Sequence, residues 1–239
     1  AMLDEGFKEI FAPDEIYAIH NLPGAPLAEV STRIGQICAS ESLFEIRITG
    51  QGGHASMPHL GVEAITVAAE LVMALQTIVA RKLPPGAGAV VSVTEISSDG
   101  QRNVLPGTAL LKGDVRARLP QDRDAIRKFM KQITSGLAAT HNVQIDMQLE
   151  TEFIETINAK EPTDSVIRVA NAQGLTNIGN RPAMSFSEDF AQFSAVIPGC
   201  FFLLGNGTDW PHGQALHRSN YDFNDALLPV GANFWAALV

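Results

Sequence analysis

Residues 41–53 read ESLFEIRITGQGG, and this stretch decides the fold of the middle of the chain. Apolar and polar side chains alternate from Leu43 to Thr49, which is the period-two pattern of a half-buried β-strand. The glycines at 50, 52 and 53 then break the pattern and end the strand. The segments that follow therefore decide which kind of sheet this strand joins.

Those segments alternate between helical and strand patterns. In chain order they are an apolar helix over 61–81 that ends before Pro84-Pro85-Gly86, strands over 89–96 and 109–119, an amphipathic helix over 122–140, and a strand over 143–149. The order β-α-β-β-α-β predicts a four-stranded antiparallel sheet with both helices on one face. This is the ferredoxin-like α+β arrangement.

The flanking segments predict parts of one α/β domain with a mixed sheet and helices. They contain a short apolar strand over 15–20, a helix over 164–173 and a strand over 200–204. We therefore expect residues 1–26 and 152–239 to form one domain, interrupted by an inserted domain over 27–151.

Composition narrows the class of ligand. The chain has 239 residues and a formal net charge of -9, which argues against a nucleic-acid surface and favours a small-molecule substrate. No run approaches about 18 consecutive apolar residues, so we expect no membrane span. Cys38 and Cys200 lack metal-type spacing, so reduced thiols and a cytoplasmic location are expected.

Both ends of the sequence have helical character. Residues 1–6 are typical of the end of a helix with Gly6 as its C-cap, and residues 234–239 stop in an apolar helical pattern without a cap. We therefore expect the chain to be part of a longer protein.

Two histidines are candidate metal ligands. His20 ends a strand, where open α/β sheets bind ligands, and His217 lies in a polar loop before the last helix. A histidine that only bonds a turn carbonyl explains His20 equally well. A catalytic metal needs about three protein ligands, so two distant histidines do not establish a site.

Three further residues are candidates for catalysis or substrate binding. His54 follows the glycines at 50, 52 and 53, which allow a ligand to approach closely; an exposed histidine in a connecting loop is the alternative. Asn103 and Arg116 are expected near strand ends. Arginine can hold a carboxylate with two hydrogen bonds, although most strand arginines are surface charges.

The segment Ser187-Glu188-Asp189-Phe190 has two interpretations. It could hold a general base beside a metal ligand, but a helix with Ser187 as its N-cap is the simpler prediction. The chain has no Gly-x-Ser-x-Gly motif and no base near either cysteine, so nucleophilic catalysis has little support.

Six motifs occur in the order found in one enzyme family. They are His20-Asn21, Gly52-Gly53-His54-Ala55 with Pro58-His59, Asn103-Val104-Leu105-Pro106, Val115-Arg116, Ser187-Glu188-Asp189-Phe190, and the segment from Leu216-His217 to Asp225. Together they resemble the aminoacylase/carboxypeptidase amidohydrolases, most closely the hippurate hydrolase and auxin-conjugate hydrolase branch. The resemblance covers essentially the whole chain.

The resemblance implies a metal-dependent amidohydrolase that cleaves N-acyl amino acids or small peptides, with two divalent metals per site (zinc, manganese, nickel or cobalt). It implies that His20 and His217 are metal ligands and that Asn103 and Arg116 bind the substrate. It further implies a homodimer formed through the inserted domain, in which His54 reaches the partner subunit's site and polarises the scissile carbonyl. Glu188 and Asp189 match a family motif without an assigned role.

One departure from the family affects the mechanism. The family's Asp-containing strand, its His-Ala-Cys-Gly-His-Asp-like motif and its Glu-Glu pair do not occur in this sequence. The alternative function is therefore a non-catalytic dimerisation or small-molecule-binding module.

Overall fold

The structure is a computed structural model that describes residues 2–238. They divide into two compact units. The mixed-sheet unit contains residues up to 38, residues 156–184 and residues from 188 onward, and the ferredoxin-like unit contains residues 39–155 and 185–187.

Short strands and longer helices alternate along the chain. In chain order the elements are α1 (Phe7–Ile10), β1 (Ile16–Pro23), β2 (Val30–Ser31), β3 (Gly35–Cys38), β4 (Ser40–Thr49), β5 (Gly53–His54), a 3-10 turn (Pro58–Leu60), α2 (Ala64–Thr77) with a π-helical extension (Ile78–Lys82), β6 (Val90–Ser98), β7 (Val104–Leu105), β8 (Thr108–Ala117), α3 (Pro120–His141), β9 (Gln144–Phe153), β10 (Thr156–Asn158), α4 (Lys160–Ala172), β11 (Asn177–Ile178), α5 (Phe190–Ser194), β12 (Gly199–Gly207) and α6 (Leu227–Leu238).

The ferredoxin-like unit confirms the predicted α+β arrangement. Its sheet has the strand order β6-β8-β4-β9, and every neighbouring pair is antiparallel. Burial alternates strictly along β8, so one face of the sheet packs against α2 and α3 and the other carries polar side chains. The polar face of the sheet is therefore not part of the hydrophobic core of this unit.

The helix Ala64–Lys82 is, by length and composition alone, apolar enough to cross a membrane, although no membrane span was expected from the sequence. Its buried residues are Ala64, Val67, Ala68, Leu71, Leu75 and Ile78. Their spacing of three and four residues places them on one stripe, which packs into the core of this unit. The helix therefore has the pattern of a core helix.

The mixed-sheet unit has the mixed sheet and helices that were predicted for the α/β domain. Strand β1 runs parallel to β12, β12 is antiparallel to β2, and β2 is parallel to β11. Helix α6 covers this sheet, with the rings of Phe202 and Phe234 5.0 Å apart. The sheet is mixed, as expected.

The boundary between the units differs from the one expected at Leu27. Residues 27–38 lie in the mixed-sheet unit because Val30 and Ser31 pair with β12. At the other end, β9 continues to Phe153 and extends the ferredoxin-like unit to residue 155. An alternating pattern predicts a strand but not the sheet that it joins.

Gly6 adopts the conformation expected of a C-cap. Its φ is 88°, its N–H donates to the carbonyl of Leu3, and the N–H of Phe7 donates to the carbonyl of Met2. This pair of bonds is the Schellman motif that ends helices. Residues 2–6 nevertheless form turns and not a helix, and Gly6 precedes α1, whereas the helical pattern predicted at the other terminus is confirmed by α6 as far as Leu238. Ala1 and Val239 lie outside the described residues.

Candidate active site

Strand β1 runs to Pro23 and pairs with the parallel strand β12, so the prediction that it ends at His20 is wrong, and His20 lies three residues before its end. Its Nδ1 atom is 2.7 Å from the carbonyl oxygen of Asn21. Because a carbonyl only accepts, Nδ1 carries the proton in the neutral ring and Nε2 keeps its lone pair. Metal-ligating histidines are commonly oriented by such a bond, so this ring is suited to bind a metal through Nε2.

His217 lies in the 208–226 segment between β12 and α6, and a buried asparagine organises that segment. Asn206 is fully buried; its amide donates to the carbonyls of His212 and Asp222 and its oxygen accepts from the N–H of Asn224. The backbone of His217 has a φ of 64°, which is uncommon for a residue with a side chain. Strained conformations of this kind cluster at functional sites, although Asn142 adopts a similar φ of 52° as an ordinary helix C-cap.

The segment that carries His217 is hydrogen-bonded to strand β1 next to His20. The amide of Asn21 donates to the hydroxyl of Tyr221 at 2.7 Å. This bond attaches the segment that carries His217 to β1 at the residue after His20.

An apolar cavity of 490 Å³ adjoins this edge. His20 and Asn21 form its polar part, and Ile19, Leu227 and Trp235 are among its apolar lining residues. A mostly apolar cavity with a few polar groups is typical of small-molecule sites.

The described side chains supply only some of the ligands of a metal site. Among residues 2–238 no group of three or more His, Cys, Asp or Glu side chains could hold a metal ion. Glu188 is half-buried; burial raises the pKa of its carboxyl, the charge of His20 opposes that rise, and Asp189 adds to it. His20 and His217 are two of the about three protein ligands that a catalytic metal requires, and no third ligand is grouped with them among the described residues.

In the ferredoxin-like unit, His54 and Asn103 lie together. Strand β5 pairs with β7, and the N–H of Ala55 donates to the carbonyl of Asn103. Nδ1 of His54 accepts the N–H of Ser56 at 3.1 Å and lies 2.8 Å from its hydroxyl. Because an N–H only donates, Nδ1 is unprotonated and Nε2 of this exposed ring is a hydrogen-bond donor.

Glycine at 52 is required by the close approach of this segment to β7. A Cβ atom there would lie 2.8 Å from the carbonyl oxygen of Leu105. Glycine at 50 has a different reason, because a Cβ there would lie 2.1 Å from the carbonyl oxygen of Val62, whereas a Cβ at Gly53 would meet nothing closer than 4.0 Å.

Arg116 lies at the opposite end of the sheet from His54. Gly52 neighbours Gly107, whereas Arg116 is eight residues along β8 from Thr108, about 26 Å at strand spacing. Arg116 is partly buried and bonds to Glu41, Asp114 and Ser187. It is therefore not an isolated surface charge, and within one chain it is far from His54.

The N-cap predicted at Ser187 is wrong. Helix α5 begins at Phe190 with Asp189 as its N-cap, and Asp189 makes no side-chain cap bond. The Ser187 hydroxyl instead bonds to Glu41 and Arg116. These long-range partners have no local signature, so the capping pattern was misleading.

Sequence reasoning missed three supporting residues. Asn206 was detectable, because it is a polar residue inside the apolar run of β12, FFLLGNG. Ser56 was also detectable, since it lies two residues after His54. Tyr221 gave no signal, because its partner Asn21 is 200 residues away.

Comparison with known protein families identifies the family to which part of the chain belongs. Residues 42–142 match the peptidase dimerisation domain. This segment belongs to the M20 peptidase dimerisation family. It includes His54, Asn103 and Arg116, and the family resemblance inferred from the motifs is confirmed.

Relatives of this chain include amidohydrolases. It is 35% identical over 229 residues to an N-acetyldiaminopimelate deacetylase of Leuconostoc mesenteroides, matching 95% of this chain and 58% of that protein. It is 31% identical to the hippurate hydrolase of Campylobacter jejuni, matching 100% of this chain and 62% of that protein. The chain thus spans about three fifths of the length of these relatives.

Solved structures share the fold. A protein of methicillin-resistant Staphylococcus aureus classed as an aminohydrolase superposes with a TM-score of 0.90 at 25% identity, covering 99% of this chain and 61% of that one. The YxeP protein of Bacillus subtilis, a dinuclear metal-binding peptidase of the M20 family, gives 0.82 at 23% identity, covering 99% and 59%.

Proposed function

We propose that the natural polypeptide containing this chain is a metal-dependent amidohydrolase that cleaves the amide bond of N-acyl amino acids or small peptides. The observation that carries the proposal is the orientation of His20. Its Nδ1 bond to the Asn21 carbonyl leaves the lone pair on Nε2, and the neighbouring Asn21 bonds to Tyr221 in the segment that carries His217. The deacetylase and hippurate hydrolase relatives act on substrates of this class.

A divalent metal (zinc, manganese, nickel or cobalt), bound by His20, His217 and ligands beyond the described residues, would polarise the amide carbonyl and activate water. His54 would donate a hydrogen bond from Nε2 to the oxygen that becomes negative in the transition state. Asn103, beside it, would contact the substrate backbone.

Metal binding and activity are tested together. The natural polypeptide is purified, metals are quantified, and hydrolysis of hippurate and N-acetyldiaminopimelate is measured with added manganese or zinc. His20→Ala and His217→Ala are expected to lose bound metal and activity, whereas His141→Ala, on the surface of α3, keeps both. Equal metal content in all four proteins would refute the ligand assignment.

We also propose that the natural polypeptide forms a homodimer through residues 42–142. The edge strand β6 and the helix α2 expose apolar side chains, including Ile96 (50%) and Met73 (70%). The opposite edge, β9, alternates outward-facing acidic and amide side chains that disfavour strand pairing. The β6 edge is therefore the proposed contact.

Light scattering tests this contact. Met73→Lys with Ile96→Lys is expected to give a monomer, and the matched charge change Lys131→Glu on α3 leaves the dimer intact. A dimer that survives the double substitution would place the contact elsewhere.

Mixing two inactive variants tests whether His54 acts in the partner's site. His54→Ala alone is expected to lower kcat by about 10²–10³-fold, the effect of removing one oxyanion donor. After subunit exchange, a 1:1 mixture of His54→Ala and His20→Ala proteins regains about a quarter of the wild-type activity, because half of the dimers contain one complete site. No recovery would mean that His54 acts within its own chain.

The second candidate function is a non-catalytic dimerisation or small-molecule-binding module. It is favoured by the lack of a three-ligand cluster among residues 2–238 and by the apolar cavity beside α6. A natural polypeptide of 25.6 kDa that dimerises but neither retains metal nor hydrolyses any substrate of the panel would support this candidate.

We further propose a cytoplasmic location, since Cys38 and Cys200 are both free thiols.

A further inference from the structure

Two arginines of the mixed-sheet unit lie together without a carboxylate partner. Arg33 forms an antiparallel bridge with Asn180, and its Nη1 donates to the backbone carbonyl of Arg181 at 3.2 Å. Arg181 donates from Nη1 to the hydroxyl of Ser31 at 3.1 Å and from Nε to the sulfur of Met184 at 3.4 Å. Both arginines are partly buried, and both belong to this one unit. The unit therefore holds two permanent cations that are in contact through a backbone carbonyl.

Much of the hydrogen-bonding capacity of these two side chains is unused. A guanidinium carries five N–H donors. Among residues 2–238, the Nε atom of Arg33 is buried and has no hydrogen-bond partner, and the Arg181 carbonyl is the acceptor for Nη1. The side-chain acceptors of Arg181 are a hydroxyl and a thioether, which are both uncharged. Because a buried N–H without an acceptor is costly, we expect an acceptor at Nε of Arg33.

The surroundings of the two arginines supply no counter-charge. No Asp or Glu occurs in residues 30–38, 156–159 or 176–187, the segments that pair with one another here. Within residues 2–238 neither arginine forms an ion pair, whereas Arg116 and Arg123 of the ferredoxin-like unit each bond to a carboxylate. The chain contains 26 acidic residues against 17 Lys and Arg, so acids are abundant but lie elsewhere. Charges that are taken out of water are normally paired, so these two cations predict an anion.

We propose that Arg33 and Arg181 form a binding site for an oxyanion, in which Nε of Arg33 is a principal donor. A planar guanidinium matches two oxygens of a phosphate or a carboxylate through parallel hydrogen bonds, and the unpartnered Nε is one arm of such a pair. Arg181 adds a second positive charge beside it. The oxyanion is either free inorganic phosphate or a carboxylate side chain from elsewhere in the natural polypeptide, since both present the same chemistry. The site does not depend on the amidohydrolase function proposed above.

Calorimetric titration of the natural polypeptide with inorganic phosphate, at constant ionic strength, tests the first source. For a phosphate occupant we expect one ion per chain. Arg33→Met and Arg181→Met should each weaken its binding by about tenfold or more, because hydrogen bonds to a charged group are lost. Arg33→Lys, which keeps the charge but has no Nε–H, should bind more tightly than Arg33→Met and more weakly than the wild type. The matched control Arg168→Met, which removes an exposed arginine of α4 in the same unit, should bind as the wild type does.

The nuclear magnetic resonance signal of the Arg33 Nε–H distinguishes the two sources in the wild-type protein, so it does not require a variant that folds. A hydrogen bond to an oxyanion is expected to move this proton downfield of the Nε–H of the exposed Arg168. If phosphate is the occupant, the downfield signal appears only as phosphate is added. If a carboxylate of the natural polypeptide is the occupant, the signal is downfield without phosphate and does not respond to it.

An Arg33 Nε–H that resonates with the Arg168 control, both with and without phosphate, would overturn the proposal. Phosphate binding that persists undiminished in Arg33→Met and Arg181→Met would also overturn it, because the anion would then bind elsewhere. Neither measurement uses hydrolysis. A protein that hydrolyses no N-acyl amino acid but shows the downfield signal would refute the amidohydrolase function and still establish the oxyanion site.

Discussion

The buried ion pair between Arg123 and Glu155 allows a quantitative test of what holds the ferredoxin-like unit together. Nη1 of Arg123 lies 2.9 Å from Oε2 of Glu155, and the two side chains are 17% and 2% exposed. Oε1 of Glu155 already lacks a hydrogen-bond partner among the described residues. Arg123→Met would remove the guanidinium and leave a carboxylate buried without its counter-charge.

We expect Arg123→Met to lower the free energy of unfolding by about 3–5 kcal/mol, the cost of breaking a buried pair on one side. Replacing both partners, Arg123→Met with Glu155→Met, should recover most of this loss because no unpaired charge remains. The matched control is Arg47→Met. Arg47 is 53% exposed and 3.4 Å from Glu45, so about 0–1 kcal/mol is expected.

The assay is native-state hydrogen exchange of the α3 and β9 amides, which reports on this unit within a larger polypeptide. The reasoning is refuted if Arg123→Met costs no more than Arg47→Met, or if the double variant is as unstable as the single one. Either result would mean that Glu155 finds another partner or reaches water.

Two further predictions concern packing and thiols. Gly113→Ala should destabilise the ferredoxin-like unit by about 3 kcal/mol or more in thermal unfolding, since its Cβ would lie 2.0 Å from the Ser92 carbonyl oxygen, whereas Gly136→Ala, in open space on α3, should stabilise it by about 0.5–1 kcal/mol. Burial raises the pKa of Cys38 to about 12 and of Cys200 to about 11, so neither thiol should react with a disulfide reagent at pH 8 until the protein unfolds. Unfolded thiols have an ordinary pKa of 9.0, so this contribution to stability is complete below pH 9 and is lost as the pH rises through 11 to 12, which unfolding measured against pH would detect.

The ferredoxin-like fold was predictable because its signals are local and mutually consistent. Leu43–Thr49 alternates as a strand must when one face is buried, and the helical stripe of α2 recurs every three or four residues. Six such segments in one order leave few topologies that bury every apolar face. The strand order β6-β8-β4-β9 then follows from the connections.

What sequence could not predict depends on partners that are distant in the chain. Ser187 has the residue type and position of a helix N-cap, yet its hydroxyl bonds Glu41, 146 residues away. The same holds for Arg116, whose bonds to Glu41 and Ser187 join residues that are 75 and 71 positions apart in the chain. The type of a polar residue was predictable at these positions, but its partner was not.

The two histidines with the strongest functional prediction show how much depends on one neighbouring atom. At His20 the neighbour is a carbonyl oxygen, so the proton is on Nδ1 and Nε2 offers a lone pair. At His54 the neighbour is a backbone N–H, so the proton is on Nε2, which offers a donor. Nδ1 is occupied in both rings, so only the first form offers a metal a lone pair at Nε2 and only the second offers an oxyanion a donor there. Exchanging the two environments would remove both functions while leaving the sequence motifs intact. The motif thus predicts the imidazole, and the backbone decides its chemistry.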